Sequence, residues 1–228
     1  MSRTSENLKE ETIYDDSGHL RERMYTLNGK MEGEYTSYYR SDQILVKMHF
    51  KGGRRDGEAV AYYPNGQIKE KGTFKEDKLA GEYTSYYENG QTREHEYYKY
   101  GKIEGTYTLY YRNGQIREEE NFRDGKFHGP YVSYYKSGQV REAGSFNNDK
   151  RNGEYIAYYK SGRIKEKATY RDGKLLGKFH SYGESGREEG PESLGEEEEE
   201  TEVEIEEKNR MVDDLLRSLS NFDKKETP

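Results

Sequence analysis

A fixed period constrains this chain more than any other feature. Gly33, Gly57, Gly81, Gly105, Gly129, Gly153 and Gly177 stand 24 residues apart without an insertion or deletion. The text behind each glycine recurs, as in "GEYTSYYENGQTREHEYYKYGKIE" (81–104) and "GTYTLYYRNGQIREEENFRDGKFH" (105–128). A Tyr-Tyr pair returns at 38/39, 62/63, 86/87, 110/111, 134/135 and 158/159. A weaker copy precedes the first glycine, and the last decays through Tyr182 and Gly186. Tandem units with degenerate ends are the mark of a repeat array, in which each unit contacts only its neighbours.

Each unit carries two turn signals. One is Asn-Gly or Ser-Gly, as at Asn65-Gly66 and Ser137-Gly138; the other is Asp-Gly or a relative, as at Asp124-Gly125 and Asn148-Asp149. Short runs rich in Tyr, Thr, Val, Ile and Phe lie between them. This pattern predicts an all-β, single-layer antiparallel meander of about fifteen short strands, two per repeat. At about 4.8 Å per strand, seven repeats would advance roughly 70 Å.

A two-residue turn at Asn65-Gly66 would pair Tyr63 with Ile68, Ala61 with Glu70, Ala59 with Gly72 and Gly57 with Phe74. The same register sets Tyr131 opposite Gly144, so a ring can lie over a glycine. The other face would then pair Tyr62 with Lys69, Tyr86 with Arg93, Tyr110 with Arg117, Tyr134 with Arg141 and Tyr158 with Lys165 as tyrosine–cation ladders.

Composition enters as a paradox. Hydrophobic residues make up 30% of the 228, charged residues 36%, yet there are 24 tyrosines. Chains too polar to fold are poor in aromatics, so the tyrosines stand in for a thick core. Charge divides the chain. Residues 188–207 contain twelve glutamates and no base, and without them the net charge of -7 becomes +5. The expected organisation is a flexible 1–8, a repeat array over 9–187, an acidic disordered linker over 188–204, an amphipathic helix over 205–222 and a flexible 223–228. The absence of cysteine excludes disulfide and thiolate chemistry. A polar N-terminus and the lack of a long apolar run lead to a cytoplasmic expectation.

A 24-residue hairpin unit reading G-x-Y-x-x-Y-Y-x-N-G-Q-I-x-E-x-x-x-F-x-D-G-K resembles the MORN-repeat variant, the bacterial-type relative of MORN repeats, whose tandem arrays often carry a YwqK-like antitoxin label. The resemblance covers about residues 9–187. It implies an elongated array of β-hairpins with no catalytic centre. The sequence lacks the Tyr-x-Gly-x-Trp start of eukaryotic MORN repeats.

The residues themselves give no sign of an enzyme. His19, His49, His95, His128 and His180 fall at different repeat positions, and no pair has metal-ligand spacing. Neither metal nor other cofactor is expected. Glu22, Glu70, Glu94, Glu118, Glu142 and Glu166 recur once per repeat; a row is architecture, pairing with lysine or accepting from tyrosine hydroxyls. The main glycines read as turn glycines. Tyr63, Tyr87, Tyr111, Tyr135 and Tyr159 fit two overlapping roles: packing of a coreless sheet with their hydroxyls in water, and a docking face for a protein partner. In the tail, Met211, Leu215, Leu216, Leu219 and Phe222 fall on one stripe of a helix, suited to docking on the sheet's end or in a partner's groove. The leading expectation is therefore a non-enzymatic protein–protein interaction scaffold, with antitoxin-like binding as one form of it. The alternative is a peripheral membrane or phosphoinositide binder that uses Lys69, Arg93, Arg117, Arg141 and Lys165 as an anion-binding row. Nucleic acid is not an expected partner, and unpaired edge strands leave room for end-to-end self-association.

Overall fold

The computed structural model of the chain describes residues 8–189. Two kinds of turn organise them. At Asn28-Gly29, Gly52-Gly53, Glu76-Asp77, Tyr100-Gly101, Asp124-Gly125, Asn148-Asp149 and Asp172-Gly173, both residues have positive φ. That is the signature of a two-residue type I′ hairpin, whose twist matches that of its strands. The turns that follow the Tyr-Tyr pairs are longer. The Tyr63 carbonyl accepts the Gly66 N–H at 2.8 Å, and the Tyr63 N–H donates to the Gln67 carbonyl at 2.8 Å. Of the Asn65-Gly66 pair only Gly66 has positive φ (83°). The loop is thus Pro64-Asn65-Gly66, a type I turn ending in a left-handed glycine, rather than the two-residue turn expected. Pro64 has no N–H with which to close the shorter loop, and its fixed φ suits the second position of a type I turn.

The strands run β1 (Lys9–Tyr14), β2 (Leu20–Leu27), β3 (Lys30–Met31), β4 (Gly33–Tyr38), β5 (Ile44–Lys51), β6 (Arg54–Tyr62), β7 (Ile68–Lys75), β8 (Lys78–Tyr86), β9 (Thr92–Lys99) and β10 (Lys102–Ile103). They continue as β11 (Gly105–Tyr110), β12 (Ile116–Arg123), β13 (Lys126–Tyr134), β14 (Val140–Asn147), β15 (Lys150–Arg151), β16 (Gly153–Tyr158), β17 (Ile164–Arg171), β18 (Lys174–Leu175), β19 (His180–Tyr182) and β20 (Glu188–Glu189). All pair antiparallel in one open sheet. In β3/β4, β10/β11, β15/β16 and β18/β19, both members pair with the same preceding strand. The twenty strands therefore fill sixteen rungs, ending at β1 and β20. The described residues contain no helix. The expected helix over 205–222, with Met211, Leu215, Leu216, Leu219 and Phe222, lies outside them, as does the acidic segment beyond Glu189.

Most of the expected register is present. Gly57 faces Phe74, Ala59 faces Gly72, Ala61 faces Glu70, and Tyr131 faces Gly144. The three-residue loop changes the end of each hairpin. Tyr62 faces Ile68, with a bulge beyond it, and neither Tyr63–Ile68 nor Tyr62–Lys69 is a pair. The same shift sets Tyr86 against Thr92, Tyr110 against Ile116, Tyr134 against Val140 and Tyr158 against Ile164. A bulge adds local twist, and here one recurs in every such hairpin.

The 24-residue glycines sit within or beside rungs, not in turns. From Gly33 to Gly177 their φ values lie between 80° and 130°. They mark the points where β3 breaks from β4 and where β7 slips past β8. Gly81 shows the reason without interference: φ is 93° and nothing lies within 4 Å of where a Cβ would stand. Gly81→Ala should thus cost on the order of 1–3 kcal/mol through backbone strain alone. Urea unfolding followed by circular dichroism measures it, and an unchanged midpoint would refute a backbone requirement at this position.

Candidate interaction surfaces

One face of the sheet is buried although no second layer packs on it among the described residues. Its centre is a set of tyrosine–carboxylate contacts. The Tyr83 hydroxyl donates to Glu70 (2.6 Å), that of Tyr107 to Glu94 (3.2 Å), and those of Tyr131 and Tyr155 to the two oxygens of Glu142 (2.6 and 3.0 Å). Glu94 also accepts from Ser85, and Glu142 from Ser133. Beside this column, an aromatic pair crosses edge-to-face in five of the repeats: Tyr35–Phe50, Tyr83–Tyr98, Tyr107–Phe122, Tyr131–Phe146 and Tyr155–Tyr170, with centroids 5.9 to 6.4 Å apart. Such pairs add about 0.5–1.5 kcal/mol beyond the area they bury. The ring over Gly144 belongs to Tyr155 of the next repeat, 3.6 Å from where a Cβ would stand, and not to the facing Tyr131.

Arg93 and Arg141, expected on the far face, point to this one. Arg93 Nε donates to Ser85 Oγ (3.0 Å) and its Nη2 to Glu94 (2.9 Å); Arg141 makes the same contacts with Ser133 and Glu142 (3.1 and 2.9 Å). Arg117 approaches Glu118 at 3.7 Å, and Lys165 pairs with Glu166 at 2.9 Å. Lys69 is exposed. The bulge interrupts strand alternation and brings Arg93, Arg117, Arg141 and Lys165 to the glutamate next to each in sequence. Glu96 and Glu120 are buried on the same face. Sequence reasoning missed both, because their repeat position is Met48, Gly72, Gly144 or Ala168 elsewhere and shows no row.

The expected docking tyrosines form a ladder along the type I edge. The hydroxyl of Tyr63 donates to the main-chain carbonyl of Tyr86, Tyr87 to Tyr110, Tyr111 to Tyr134, Tyr135 to Tyr158 and Tyr159 to Tyr182, at 2.6 to 2.8 Å. Tyr39 does the same to Tyr62. These hydroxyls join repeat to repeat, where water had been expected around them, and their rings remain half-buried. The cations over them are Arg112 on Tyr87, Lys136 on Tyr111 and Lys160 on Tyr135, 5.4 to 5.9 Å from the ring centres. The period of the Tyr-Tyr pair could have exposed this ladder, since donor and acceptor stand 23 residues apart in every copy.

Rungs, bulges and turns on a constant period define a tandem β-hairpin repeat protein. The MORN repeat variant family matches residues 31–51, 55–76, 79–100, 103–124, 127–148 and 151–172, more than half of the sequence. The chain belongs to that family, which is generally non-enzymatic. No curated protein matches it. Among solved structures it is similar to the crystal structure of a protein with unknown function (BF3112) from Bacteroides fragilis NCTC 9343, at 9% identity over 74% of this chain and 96% of that one, with a TM-score of 0.14.

Two pH responses follow from the buried face. Burial, reinforced by the neighbouring glutamates, pushes the Tyr83, Tyr98, Tyr107, Tyr131 and Tyr155 phenols well above their ordinary value. The fold thus favours the neutral phenol, and this support is intact below pH ~10 and lost as pH rises beyond it. Ultraviolet titration should show these five ionising only as the strand signal collapses; five early, reversible ionisations would contradict the burial. Glu142 behaves in the opposite sense. Burial opposes its ionisation, but the Tyr131 hydrogen bond and the Arg141 charge outweigh burial and hold its carboxyl below the usual value. Its contribution is present above the unfolded carboxylate pKa and lost as pH falls through the folded one. Tyr131→Phe should destabilise by about 1–3 kcal/mol at neutral pH, with a deficit that shrinks on acidification. A pH-independent deficit would rule out the carboxylate contact as its cause.

Proposed function

We propose that this protein is a non-catalytic, cytoplasmic scaffold that holds a protein partner on its repeat array, and that neutralising that partner, in the manner of an antitoxin, is the specific form of the task. The observation that supports the reading is the use made of the chemistry-bearing groups. The recurring glutamates, arginines and tyrosine hydroxyls are spent on one another or on main-chain carbonyls. What three successive repeats offer outward is a copy of one pattern: half-buried rings of Tyr87, Tyr111 and Tyr135, each under the cation of the next repeat. Rigid, amphipathic rings give contact area at low entropy cost, and repetition allows one partner to engage several repeats at once.

The test is a defined complex. The full-length protein should co-elute with a partner from its own host at fixed stoichiometry, by light scattering. Replacing Arg112, Lys136 and Lys160 together with alanine should weaken the complex by about tenfold or more, the loss of roughly 1.4 kcal/mol, while the melting temperature holds. A chain that elutes alone from its host extract, or a complex indifferent to these residues, would defeat the reading for this edge.

A further inference from the structure

The opposite edge, where the type I′ turns lie, carries a charge pattern that stability does not explain. The residues flanking those turns pair directly: Leu27 with Lys30, Lys51 with Arg54, Lys75 with Lys78, Lys99 with Lys102, Arg123 with Lys126, Asn147 with Lys150 and Arg171 with Lys174. Twelve of these fourteen positions are cationic, and all twelve are exposed. Five of the seven pairs oppose like charges directly, an arrangement that disfavours a sheet. Directly opposed residues share a face, and each of the twelve is next in sequence to a residue on the face of the aromatic column, as Lys75 follows the buried Phe74 and Lys78 precedes the buried Leu79. All twelve therefore lie on the face away from the aromatic column.

They are also aligned. The stems of Lys30, Lys78, Lys102 and Lys150 lie against Gly53, Gly101, Gly125 and Gly173 of the next turn, with Cβ atoms 3.5 to 3.7 Å from where a glycine Cβ would stand. The result is nearly one cation per rung across fourteen consecutive rungs, at about 4.8 Å per rung. Acidic residues in the same turns are five: Glu76, Asp77, Asp124, Asp149 and Asp172. Two of them turn inward, Asp77 to the Arg55 N–H and guanidinium, Asp149 to the Phe127 N–H. Of the row itself, Lys75 pairs with Asp56.

We infer that this edge is a binding surface for an extended acidic polypeptide. The inference goes beyond the scaffold reading and does not depend on it. Three observations select the ligand. The row is one cation wide, so it meets a partner along a line. An extended chain places its same-side carboxylates about 7 Å apart, within reach of a lysine on every rung. Single-stranded nucleic acid would need a stacking platform repeated along the row, and Tyr100, 79% exposed, is the one aromatic residue among these turn positions. Nine of the twelve cations are lysines, compact point charges without the planar fork that favours phosphate.

The test is fluorescence anisotropy of a labelled polyglutamate peptide with the full-length protein. Binding at about 20 mM salt should weaken more than tenfold at about 300 mM, as screening shortens. It should be lost in K78E/K102E/K126E and reduced in the matching Lys→Gln set, which removes charge without adding any. R112E/K136E/K160E, with the same change in net charge on the other edge, should bind like the wild type. Circular dichroism and melting temperature accompany every variant. Absence of peptide binding, equal loss in both charge-reversal sets, or tighter binding of oligothymidylate or anionic phospholipid vesicles than of the peptide would each overturn the inference.

Discussion

The hydrogen bond from a buried tyrosine hydroxyl to a glutamate carboxylate is the contact on which the rest of this structure depends. A sheet one layer thick must still remove one face from water if it is to persist, and this chain is only 30% hydrophobic. An ordinary aliphatic face would be left wet. Tyrosine solves half of the problem by supplying a large ring, but buries a hydroxyl that must find a partner. Glutamate supplies the partner, and itself could not be buried without compensation, since stranding a carboxylate in a low-dielectric setting costs several kcal/mol. Each residue makes the other tolerable. Tyr107, 2% exposed, and Glu94, 7% exposed, are a case in which neither could stand there alone.

The bulge that the three-residue loop imposes on each such hairpin also serves charge balance where an arginine precedes the glutamate. Several glutamates close together on one face would repel one another. By breaking strand alternation, the bulge beyond Tyr86 swings Arg93 onto the face of Glu94, and the corresponding bulge does the same for Arg141 and Glu142. The cation is thereby supplied by the neighbouring residue in the chain, so the balance is local to each repeat. A regular strand would have sent these arginines to the opposite face, where sequence reasoning had placed them as an anion-binding row. That difference has one origin. Asn-Gly marks a type I′ turn when both residues take positive φ and a type I turn when only the glycine does, and the dipeptide is the same in both. Pro64 was the available clue, in one repeat of the series.

What was legible follows the same line. The 24-residue spacing fixed the hairpins, and alternation fixed most of their facing pairs, because side-chain direction in a strand depends only on parity. Gly57–Phe74 and Tyr131–Gly144 needed nothing more. Features that cross between repeats were hidden, since they depend on how far one hairpin is displaced from the next. The ring of Tyr155 over Gly144 is of this kind; the phenol-to-carbonyl ladder crosses too, but its constant 23-residue step left a trace in the period of the Tyr-Tyr pair. Glu96 and Glu120 were hidden for another reason: they are carboxylates at a position that other repeats fill with Gly, Ala or Met, and only their setting among Tyr83, Tyr98 and Tyr107 accounts for them.

The two turn types also make the edges of the sheet chemically different, and this asymmetry is inherited directly from backbone geometry. The type I edge has its longer loop closed by a tyrosine and, in most repeats, a glutamine, whose main-chain groups bond each other, and the tyrosine hydroxyl reaches the following hairpin. That edge is tied internally, polar and close to neutral. At the type I′ edge the link between hairpins is made within the two-residue loop itself, by its backbone where Gly101 N–H meets the Leu79 carbonyl, Gly125 that of Ile103 and Gly173 that of Arg151, and by the Asp77 and Asp149 carboxylates where those residues stand in the loop. With the loops holding those rungs together, the flanking side chains, apart from Lys75 and its ion pair with Asp56, are not needed at their charged ends to link one rung to the next. A run of lysines can occupy them repeat after repeat, at a modest cost in mutual repulsion that solvent screens. The edge that needs its side chains least for folding is the one free to carry them for recognition.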